Sequence, residues 1–354
     1  MLAQFKQKQP KQTKKQRRLK VISLLTPDSL INVLPPLNDA SKQFPSHQLN
    51  IELLHSIILF YCSKYHSMLS YRHAFHAGNH ADVLKHYVFS LVLDYFNQKE
   101  KPYWVVDTHA GSGVYALDKG YAKQNAEFES GIARLYTAEN LPESLKSYVE
   151  TIKKLNENNS LTLYPGSPYI AKHFLRRDDK LWLFELHPGD YKLLLENFMG
   201  ENKSSTRIRQ TKIEMLDGFA GLKSCMPPAS KRGVVLIDPP YELKEDYQHV
   251  VSAIKDTLTR FATGTYLVWY PLLQRPEPLN MVSALKSLCP NNYLDVTLSV
   301  QTPAADGFGM FGSGMLIINP PWTLPKIIKE TMPYLIKALA QDDDAEFTLT
   351  SQIT

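Results

Sequence analysis

The stretch GVVLIDPPY, residues 233–241, joins an uninterrupted apolar run to an acid and two prolines. Such a run, bounded by residues that end a strand, is typical of a strand buried on both faces of a sheet. The prolines cannot continue a ladder of backbone hydrogen bonds, so the strand ends at Asp238. This ending leaves the Asp238 carboxylate and the Pro239 carbonyl as fixed acceptors, with the aromatic face of Tyr241 beside them.

Further runs on either side have the same character and predict the rest of the sheet. They are residues 103–107, 181–185, 212–216, 265–270, 294–300 and 314–319. Between most of them lie segments with the 3.6-residue apolar period of a helix, as in residues 80–98. Strands that alternate with helices in this way predict an α/β fold, with a Rossmann-like, mostly parallel sheet of seven strands.

One spacing in this pattern is unusually long. In a simple doubly wound fold, about 20 residues separate the glycine turn from the acid that ends the next strand. Here the interval from Asp107 to Glu185 is 78 positions. We therefore predict a helical subdomain inserted at about residues 115–165.

Polar groups follow the other strands of the first half. The turn DTHAGSG, residues 107–113, has glycines where a backbone can approach a ligand closely. Glu185 ends the next strand and is placed to accept both hydroxyls of a ribose, and Asp217 with Gly218 could meet an adenine ring. The turn lacks the full GxGxxG of a dinucleotide enzyme and the GK[ST] of a P-loop. With Asp238 and Pro239, the pattern predicts a nucleotide-type cofactor beside a site for a planar base that carries an exocyclic amine.

A second stretch has the same form as the first and competes with it. Asn319-Pro320-Pro321-Trp322 also follows an apolar strand, GMLII. The first copy comes three strands after the glycine turn, whereas the second follows the last predicted strand. Chain order therefore assigns the chemistry to Asp238 and leaves residues 319–322 as a structural turn or edge feature.

The composition excludes several classes of protein. The 354 residues are 44% hydrophobic and 21% charged, which suits a large core and excludes wholesale disorder. The longest clean apolar run, residues 57–62, is far shorter than the roughly 20 residues of a membrane span. The three cysteines contain no CxxC pair, so neither a disulfide framework nor a cysteine-based zinc site is expected. A metal at His76 and His80 is not expected either, because only Asp82 could complete the site.

The basic residues are concentrated at the amino terminus. Of the net charge of +5, residues 1–67 carry +7 and the remaining 287 residues carry −2. The first 20 residues are low-complexity Lys, Gln and Arg, so we expect residues 1–67 to be a disordered basic extension. A transit peptide is one alternative, although serine is scarce, and a true start at Met68 is another. The main domain is then predicted over residues 68–340, with 341–354 as a tail.

From Met68 onward, long motifs resemble the RlmJ family, the 23S rRNA adenine-N6 methyltransferases. The opening MLSYRHAFHAGNHADVLKH, residues 68–86, carries the resemblance most fully. Further matching motifs are DTHAGSG (107–113), YPGSP (164–168), ELHP (185–188), DGF (217–219), LIDPPYE (236–242) and residues 313–322. The resemblance covers residues 68 to about 340, and a few extra residues near 200–206 leave its motifs intact. Residues 1–67 have no counterpart in the family pattern, which favours Met68 as the start.

The resemblance implies a class I methyltransferase that uses S-adenosyl-L-methionine, and it implies a role for each matching residue. The cofactor is expected to be held by His86, His109, Gly111, Ser167, Glu185, Asp217 and Gly218. The target amine and base are expected to meet Asp238, Pro239 and Tyr241, and Tyr71 is expected to touch the RNA. The same resemblance implies a cytoplasmic monomer that acts on naked or partly assembled 23S rRNA, without a metal or a membrane.

Other functions remain open at this point. A DNA adenine-N6 methyltransferase would share the cofactor and DPPY motifs, whereas a glutamine-methylating enzyme usually carries Asn in place of Asp238. A non-catalytic RNA-binding protein, involved in the use of external DNA, would not need intact cofactor motifs. Because residues 68–354 carry no net positive charge, RNA binding requires a local basic face. The candidates for that face are Arg72, Lys85, Lys172, Arg176, Arg177, Lys231 and Arg232.

Overall fold

The computed structural model describes residues 73–156, 160–199 and 210–353. The predicted extension 1–67, residues Tyr71 and Arg72, and the loop near 200–206 lie outside the described residues. Within the described ranges, no helix is both long and apolar enough to cross a membrane.

Helices and strands alternate along most of the chain. After a 3₁₀ turn (His73–Phe75), the first half contains α1 (His80–Asn97), β1 (Trp104–Asp107), β2 (Val114–Ala116), α2 (Gly120–Asn125), a 3₁₀ turn (Glu127–Glu129), α3 (Ile132–Tyr136), α4 (Glu143–Leu155), β3 (Leu163–Pro165), α5 (Ser167–Phe174), β4 (Lys180–Phe184) and α6 (Pro188–Met199). The second half contains β5 (Thr211–Glu214), α7 (Gly218–Cys225), β6 (Gly233–Ile237), α8 (Lys244–Arg260), β7 (Thr265–Leu272), α9 (Glu277–Leu288), β8 (Asn292–Ser299), β9 (Gly312–Ile318), α10 (Leu324–Leu339) and β10 (Glu346–Ile353).

The main sheet has the strand order β10-β8-β9-β7-β6-β1-β4-β5. Strand β1 pairs in parallel with β4 and β6, and β5 and β7 extend the parallel part on either side. Strand β9 is antiparallel to β7 and β8, and β10 is antiparallel to β8. The predicted Rossmann-like, mostly parallel sheet is confirmed, but it has eight strands rather than seven.

The additional strand, β10, lies in the segment predicted as a tail, residues 341–354. Its apolar pattern is weak, because Phe347 and Leu349 are only half-buried and most of its other residues are exposed. Strand β10 is held at the edge of the sheet by antiparallel pairing with β8, from Glu346 opposite Ser299 to Ile353 opposite Asn292. Its place in the sheet therefore depends on a partner strand about fifty residues away rather than on its own periodicity.

The segment between β1 and β4 contains more than the helices predicted for residues 115–165. Helices α2 to α4 are present, but β2 and β3 also form a separate antiparallel pair, in which Val114 lies opposite Pro165. This pairing brings the YPGSP segment back to the glycine turn, and Gly166 N donates a hydrogen bond to the Gly113 carbonyl at 2.9 Å.

Helices pack against both faces of the main sheet. Helices α1, α4, α5 and α10 contribute to the core on one face, and α7, α8 and α9 contribute to the core on the other. Helix α1 starts at Asn79, whose side chain accepts hydrogen bonds from the backbone N–H groups of Ala81 and Asp82. Fourteen of the 18 residues of α1 are buried, among them the charged Asp82 and Lys85, which therefore require buried partners.

The chain changes direction across the sheet at β1. From β1 it proceeds through β4 to β5 on one side, and it then returns to build β6 and β7 on the other side. In open α/β sheets, the crevice outside the carboxyl ends of the strands at such a reversal is the usual ligand site. The predicted site residues after β1, β4, β5 and β6 all lie at this carboxyl edge.

Candidate active site

The glycine turn after β1 is fixed by its two neighbouring strands. Thr108 N donates to the Leu236 carbonyl of β6 at 3.1 Å, and Ala110 N donates to the Phe184 carbonyl of β4 at 2.9 Å. Gly111 has φ +59°, and a Cβ built there would lie 2.2 Å from the Tyr115 hydroxyl. Glycine is therefore required at this position both for its conformation and for the close approach of a side chain.

Glu185, at the end of β4, is joined directly to this turn. Its Oε2 accepts a hydrogen bond from Gly111 N at 2.7 Å, and its Oε1 accepts one from His187 N at 2.6 Å. Burial raises the pKa of Glu185 to about 7, although both backbone hydrogen bonds oppose that rise. Each carboxylate oxygen keeps acceptor capacity for a ligand hydroxyl.

The third strand end, after β5, packs against the same turn. Asp217 is the N-cap of α7, and its Oδ1 accepts hydrogen bonds from Phe219 N at 2.7 Å and Ala220 N at 3.1 Å. A Cβ built on Gly218 would lie 1.9 Å from the Thr108 carbonyl oxygen, so only glycine allows this contact. His109 lies edge-on to Phe219, with ring centroids 5.2 Å apart, and burial lowers its pKa to about 4.

Two residues implied only by the resemblance, His86 and Ser167, are also buried. His86 Nδ1 lies 2.7 Å from the Tyr164 hydroxyl, and burial holds the pKa of His86 well below its ordinary value. His86 Nε2 is buried and has no hydrogen-bond partner among the described residues. Ser167 is the first residue of α5. Burial raises the pKa of Asp107 to about 6, and a hydrogen bond with the Ser167 side chain opposes that rise.

Asp238 is held by a buried chain of charges that reaches back to the opening segment. Lys85 Nζ lies 2.5 Å from Asp238 Oδ2 and 2.8 Å from Asp82 Oδ1, and His73 Nε2 lies 3.0 Å from Asp82 Oδ2. The side chains of Asp82 and Lys85 are 1% and 4% exposed.

Burial alone would lower the pKa of Lys85, but Asp238 and Asp82 raise it above its ordinary value. Burial likewise opposes ionisation of Asp82, whose pKa is nevertheless held well below its usual range by His73 and Lys85.

The aromatic ring of the DPPY motif is not an open platform. Tyr241 is 4% exposed, and its ring stacks on Tyr247 at a centroid distance of 4.5 Å. Its hydroxyl donates to the Trp269 carbonyl at 2.7 Å, which ties the turn to β7. The expectation that Tyr241 presents a face to a base therefore does not match its surroundings, because neighbouring side chains occupy that space. The Pro239 carbonyl accepts no hydrogen bond from the described residues.

The NPPW motif lies at the opposite edge of the sheet. Strand β9 is antiparallel to β7, so Asn319 follows Ile318 at the end where β7 begins. Asn319 Nδ2 donates to the Ala262 and Gly264 carbonyls, and its Oδ1 accepts from Asn292 Nδ2 at 2.9 Å. Both ends of the amide are thus used to hold the turn, as expected for a structural copy of the motif.

No group of three or more His, Cys, Asp or Glu side chains that could hold a metal occurs in the part of the chain that the structure describes. The histidines of the opening segment have other contacts. His76 Nδ1 lies 3.0 Å from both Glu127 carboxylate oxygens, which links the segment to the insertion and raises the pKa of His76. Burial lowers the pKa of His80 to about 4.

Comparison with known proteins assigns this arrangement to a family. The family model described as "Ribosomal RNA large subunit methyltransferase D, RlmJ" matches residues 100–350. The chain belongs to the RlmJ family. It is 46% identical over 268 residues to Ribosomal RNA large subunit methyltransferase J of Escherichia coli, covering 76% of this chain and 93% of that protein. The Haemophilus influenzae protein of the same name is 45% identical over 283 residues, covering 80% of this chain and 98% of the relative.

A solved structure agrees with this assignment. The crystal structure of protein LPL1258 from Legionella pneumophila superimposes with a TM-score of 0.69 at 33% sequence identity, covering 78% of this chain and 100% of that chain. The expected membership of the RlmJ family, a family of methyltransferases by the names of its members, is therefore confirmed.

Sequence reasoning missed the residue that contacts Asp238 most closely in this RlmJ-family chain. Lys85 was a candidate for an exposed RNA-binding face, but it is buried and paired with two carboxylates. The sequence contains one indication of this pairing. Asp82 and Lys85 are three positions apart on a helix whose apolar residues are not confined to one face. Charges on such a helix have to be paired inside the protein.

A second missed feature is an exposed aromatic side chain at the carboxyl edge. Phe308 lies in the loop between β8 and β9 and is 79% exposed. The glycines on either side of it, Gly307 and Gly309, have φ values of +79° and +90°. The loop is anchored to the end of β7, because Gln274 Nε2 donates to the Ala304 carbonyl at 2.6 Å.

Proposed function

We propose that this chain transfers a methyl group from S-adenosyl-L-methionine to the N6 amine of one adenine in 23S rRNA. The names of its relatives indicate large-subunit ribosomal RNA as the substrate. The choice of an adenine amine rests on one observation, the two adjacent acceptors Asp238 and Pro239 at the end of β6, beside a turn suited to a nucleotide cofactor.

The residues around the glycine turn fit the cofactor. Glu185 can accept ribose hydroxyls. The buried His86 Nε2, which lies 3.9 Å from Asp82 Oδ1 and has no hydrogen-bond partner among the described residues, is available to a polar group. Asp217 caps α7 through Oδ1 alone, and the neighbouring Met215 and Leu216 are exposed apolar side chains that can cover a flat base. When bound there, S-adenosyl-L-methionine supplies an electrophilic methyl group on a positively charged sulfur.

The charges of the site suit that positive sulfur. Asp82 and Asp238 are two carboxylates that share one ammonium, Lys85, and Asp82 also contacts His73. With a neutral His73 the cluster carries one negative charge. Burial keeps His86 and His109 neutral, and they add no positive charge. A preorganised negative environment favours a reaction in which positive charge moves from sulfur to nitrogen.

Asp238 and Pro239 would act on the attacking nitrogen. The lone pair of an adenine amine is delocalised into the ring, and two N–H···O hydrogen bonds to the carboxylate and the carbonyl favour a pyramidal nitrogen. Lys85 holds Asp238 Oδ2 and leaves Oδ1 for the amine. The lone pair then forms the new N–C bond as the bond between carbon and sulfur breaks, and Asp238 accepts the proton that nitrogen loses.

The base must leave its stack to reach Asp238, which is least costly in single-stranded or unfolded RNA. Phe308 is the exposed aromatic group at this edge that could replace part of the lost stacking. As implied by the resemblance, the proposal also includes a monomer that acts in the cytoplasm, and light scattering of the full chain tests the first of these points.

The proposal is tested by methyl transfer to protein-free 23S rRNA and to duplex DNA in parallel. Mass analysis of nuclease digests should show N6-methyladenosine in the RNA alone, at one position. Methylation of the duplex DNA but not the RNA would instead make the chain a DNA adenine-N6 methyltransferase. A product other than N6-methyladenosine would overturn the assignment of Asp238 and Pro239 to an amine.

A further inference from the structure

A cleft of about 260 Å³ lies at the amino edge of the sheet, opposite the candidate active site. It is bounded by the end of α1, the starts of β6 and β7, and the NPPW turn after β9. Strand β6 separates it from Asp238, and the five residues of that strand span about 17 Å. Nothing in the proposed methyl transfer uses this cleft.

The cleft is lined by positive charge. Lys99, Lys231 and Arg232 contribute cations, and no Asp or Glu is among its described lining residues. Residues 68–354 carry a net charge of −2, so this concentration does not follow from overall basicity. Lys99 and Lys231 are exposed, which leaves both ammonium groups accessible to a ligand.

The backbone holds these cations together. Arg232 donates to the Phe96 carbonyl at 3.0 Å, and it also donates to the Lys101 carbonyl. Arg176 donates to the Lys99 carbonyl at 2.6 Å, so two guanidinium groups lie around the same helix end. Burial and the neighbouring Arg176 lower the pKa of Arg232, and Asp179, which pairs with Arg176 at 2.9 Å, opposes that shift.

An exposed tryptophan directly follows the turn that lines the cleft. Trp322 is 72% exposed, a value that only Phe308 exceeds among the described large apolar residues. It follows Pro321, which lines the cleft, and the turn that carries it is fixed by the hydrogen bonds of Asn319. Exposed aromatic rings and basic side chains are the combination that binds unpaired nucleotides, through stacking and phosphate contacts.

We propose that this cleft is a second RNA-binding site, in which Lys99, Lys231 and Arg232 hold backbone phosphates and Trp322 stacks on an unpaired base of the same rRNA. The inference rests on the proposed function for its choice of RNA. The cleft and Asp238 lie at opposite ends of β6, so an RNA that contacts both must pass around the sheet. We expect a short hairpin bound at Asp238 to leave the cleft empty. A domain-sized rRNA fragment can contact both.

The test uses the full chain and these two RNAs, each carrying the target adenine in its unmethylated form. In K99E/K231E, loss of phosphate contacts should weaken binding of the long fragment about ten-fold and reduce the slope of log affinity against log salt by about 1.5. Binding of the hairpin and kcat on both RNAs should not change, so KM rises for the long fragment alone. The matched control is K255E/K337E, which changes the same number of exposed lysines on α8 and α10.

Trp322 is tested separately. W322A should weaken binding of the long fragment about ten-fold, whereas W322F should restore most of the affinity because phenylalanine also stacks. Quenching of tryptophan fluorescence by the long fragment should be smaller in W322F than in the unchanged protein.

Three results would overturn the inference: unchanged affinity of K99E/K231E for the long fragment, an equal loss on the hairpin, or an equal loss in the control. If the unchanged protein methylated neither RNA, the proposed function would fail, while the binding comparison would still decide the role of the cleft.

Discussion

Lys85 Nζ contacts Asp238 Oδ2 at 2.5 Å, although the two residues are 153 positions apart in the chain. The contact connects the buried helix α1 to the end of β6, and Asp82 completes it from the same helix. The acid that the sequence marks as reactive is therefore oriented by a residue from the opening segment. This arrangement makes the two halves of the site depend on each other.

The first prediction concerns the carboxylate. Asp238→Ala should lower methyl transfer at least 100-fold, because the amine loses its charged acceptor. Binding of S-adenosyl-L-methionine, measured by calorimetry, should persist, because Glu185 and the glycine turn are unchanged. Asp238→Asn should retain more activity than Asp238→Ala, since an amide oxygen can still accept one N–H bond. The NPPW motif at the other end of the strands supplies the control. If Asn319→Ala stopped methyl transfer while Asp238→Ala did not, the choice between the two motifs would be wrong.

The second prediction concerns the buried ammonium. Lys85→Met leaves Asp82 and Asp238 without their shared cation, which should cost about 3–5 kcal/mol of unfolding free energy or cause one carboxylate to bind a proton. A proton on Asp238 blocks acceptance of the amine, so the acidic limb of the pH profile of kcat should move to higher pH. Lys85→Arg keeps the charge and should keep more stability than Lys85→Met. Lys255→Met, on an exposed face of α8, should leave both thermal unfolding and the profile unchanged.

Local sequence patterns predicted most of the sheet for a physical reason. Strands β1, β6 and β7 are almost wholly buried, and β4 is buried apart from the half-buried Lys180 and Trp182. Each is therefore an apolar run that can be recognised without its neighbours. Strand β10 is an edge strand with mostly exposed residues, and its position depends on β8. The two-stranded pair β2 and β3 is short and lies within the insertion, where no period is long enough to be read.

The candidate site divides in the same way. Glu185, Asp217 and Asp238 could be found because parallel strands bring their carboxyl ends to one edge. The pairing of Lys85 with Asp238 could not, because it depends on how α1 packs over that edge. The burial of Tyr241 also depends on tertiary contacts, since Tyr247 and Trp269 occupy the space around its ring.

The third prediction is a pH dependence of cofactor binding. Burial raises the pKa of Glu185 to about 7, and the ionised form is the better acceptor for ribose hydroxyls. Affinity for S-adenosyl-L-methionine should therefore increase about ten-fold from pH 6 to pH 8, with release of a proton on binding. Calorimetry in buffers of different ionisation enthalpy measures that proton. In Glu185→Gln the affinity should be weaker at pH 8, and the proton release near pH 7 should disappear. If this variant kept both the original affinity at pH 8 and the proton release, Glu185 would not belong to the cofactor site.

The fourth prediction concerns the exposed ring at the carboxyl edge. Phe308→Ala should raise KM for rRNA about ten-fold, because base–aromatic stacking contributes roughly 1–3 kcal/mol. Binding of S-adenosyl-L-methionine should be unaffected. Leu279→Ala, which removes another exposed apolar side chain at the start of α9, is the matched control. An equal rise in KM in the two variants would show that Phe308 acts only as general apolar surface.

The fifth prediction concerns the packing of α7 on the glycine turn. In Gly218→Ala the new methyl group would meet the Thr108 carbonyl oxygen at 1.9 Å, and a backbone atom cannot rotate away as a flexible side chain can. The start of α7 must then move away from β1. This movement should cost about 1–3 kcal/mol of unfolding free energy and weaken cofactor binding.

Gly120→Ala is the control, because Gly120 has φ +57° and open space around its Cβ position. That variant should show only the cost of left-handed backbone, about 1–2 kcal/mol, with cofactor affinity unchanged. A Gly218→Ala protein with the original unfolding temperature and cofactor affinity would mean that the contact between Gly218 and Thr108 does not position the site.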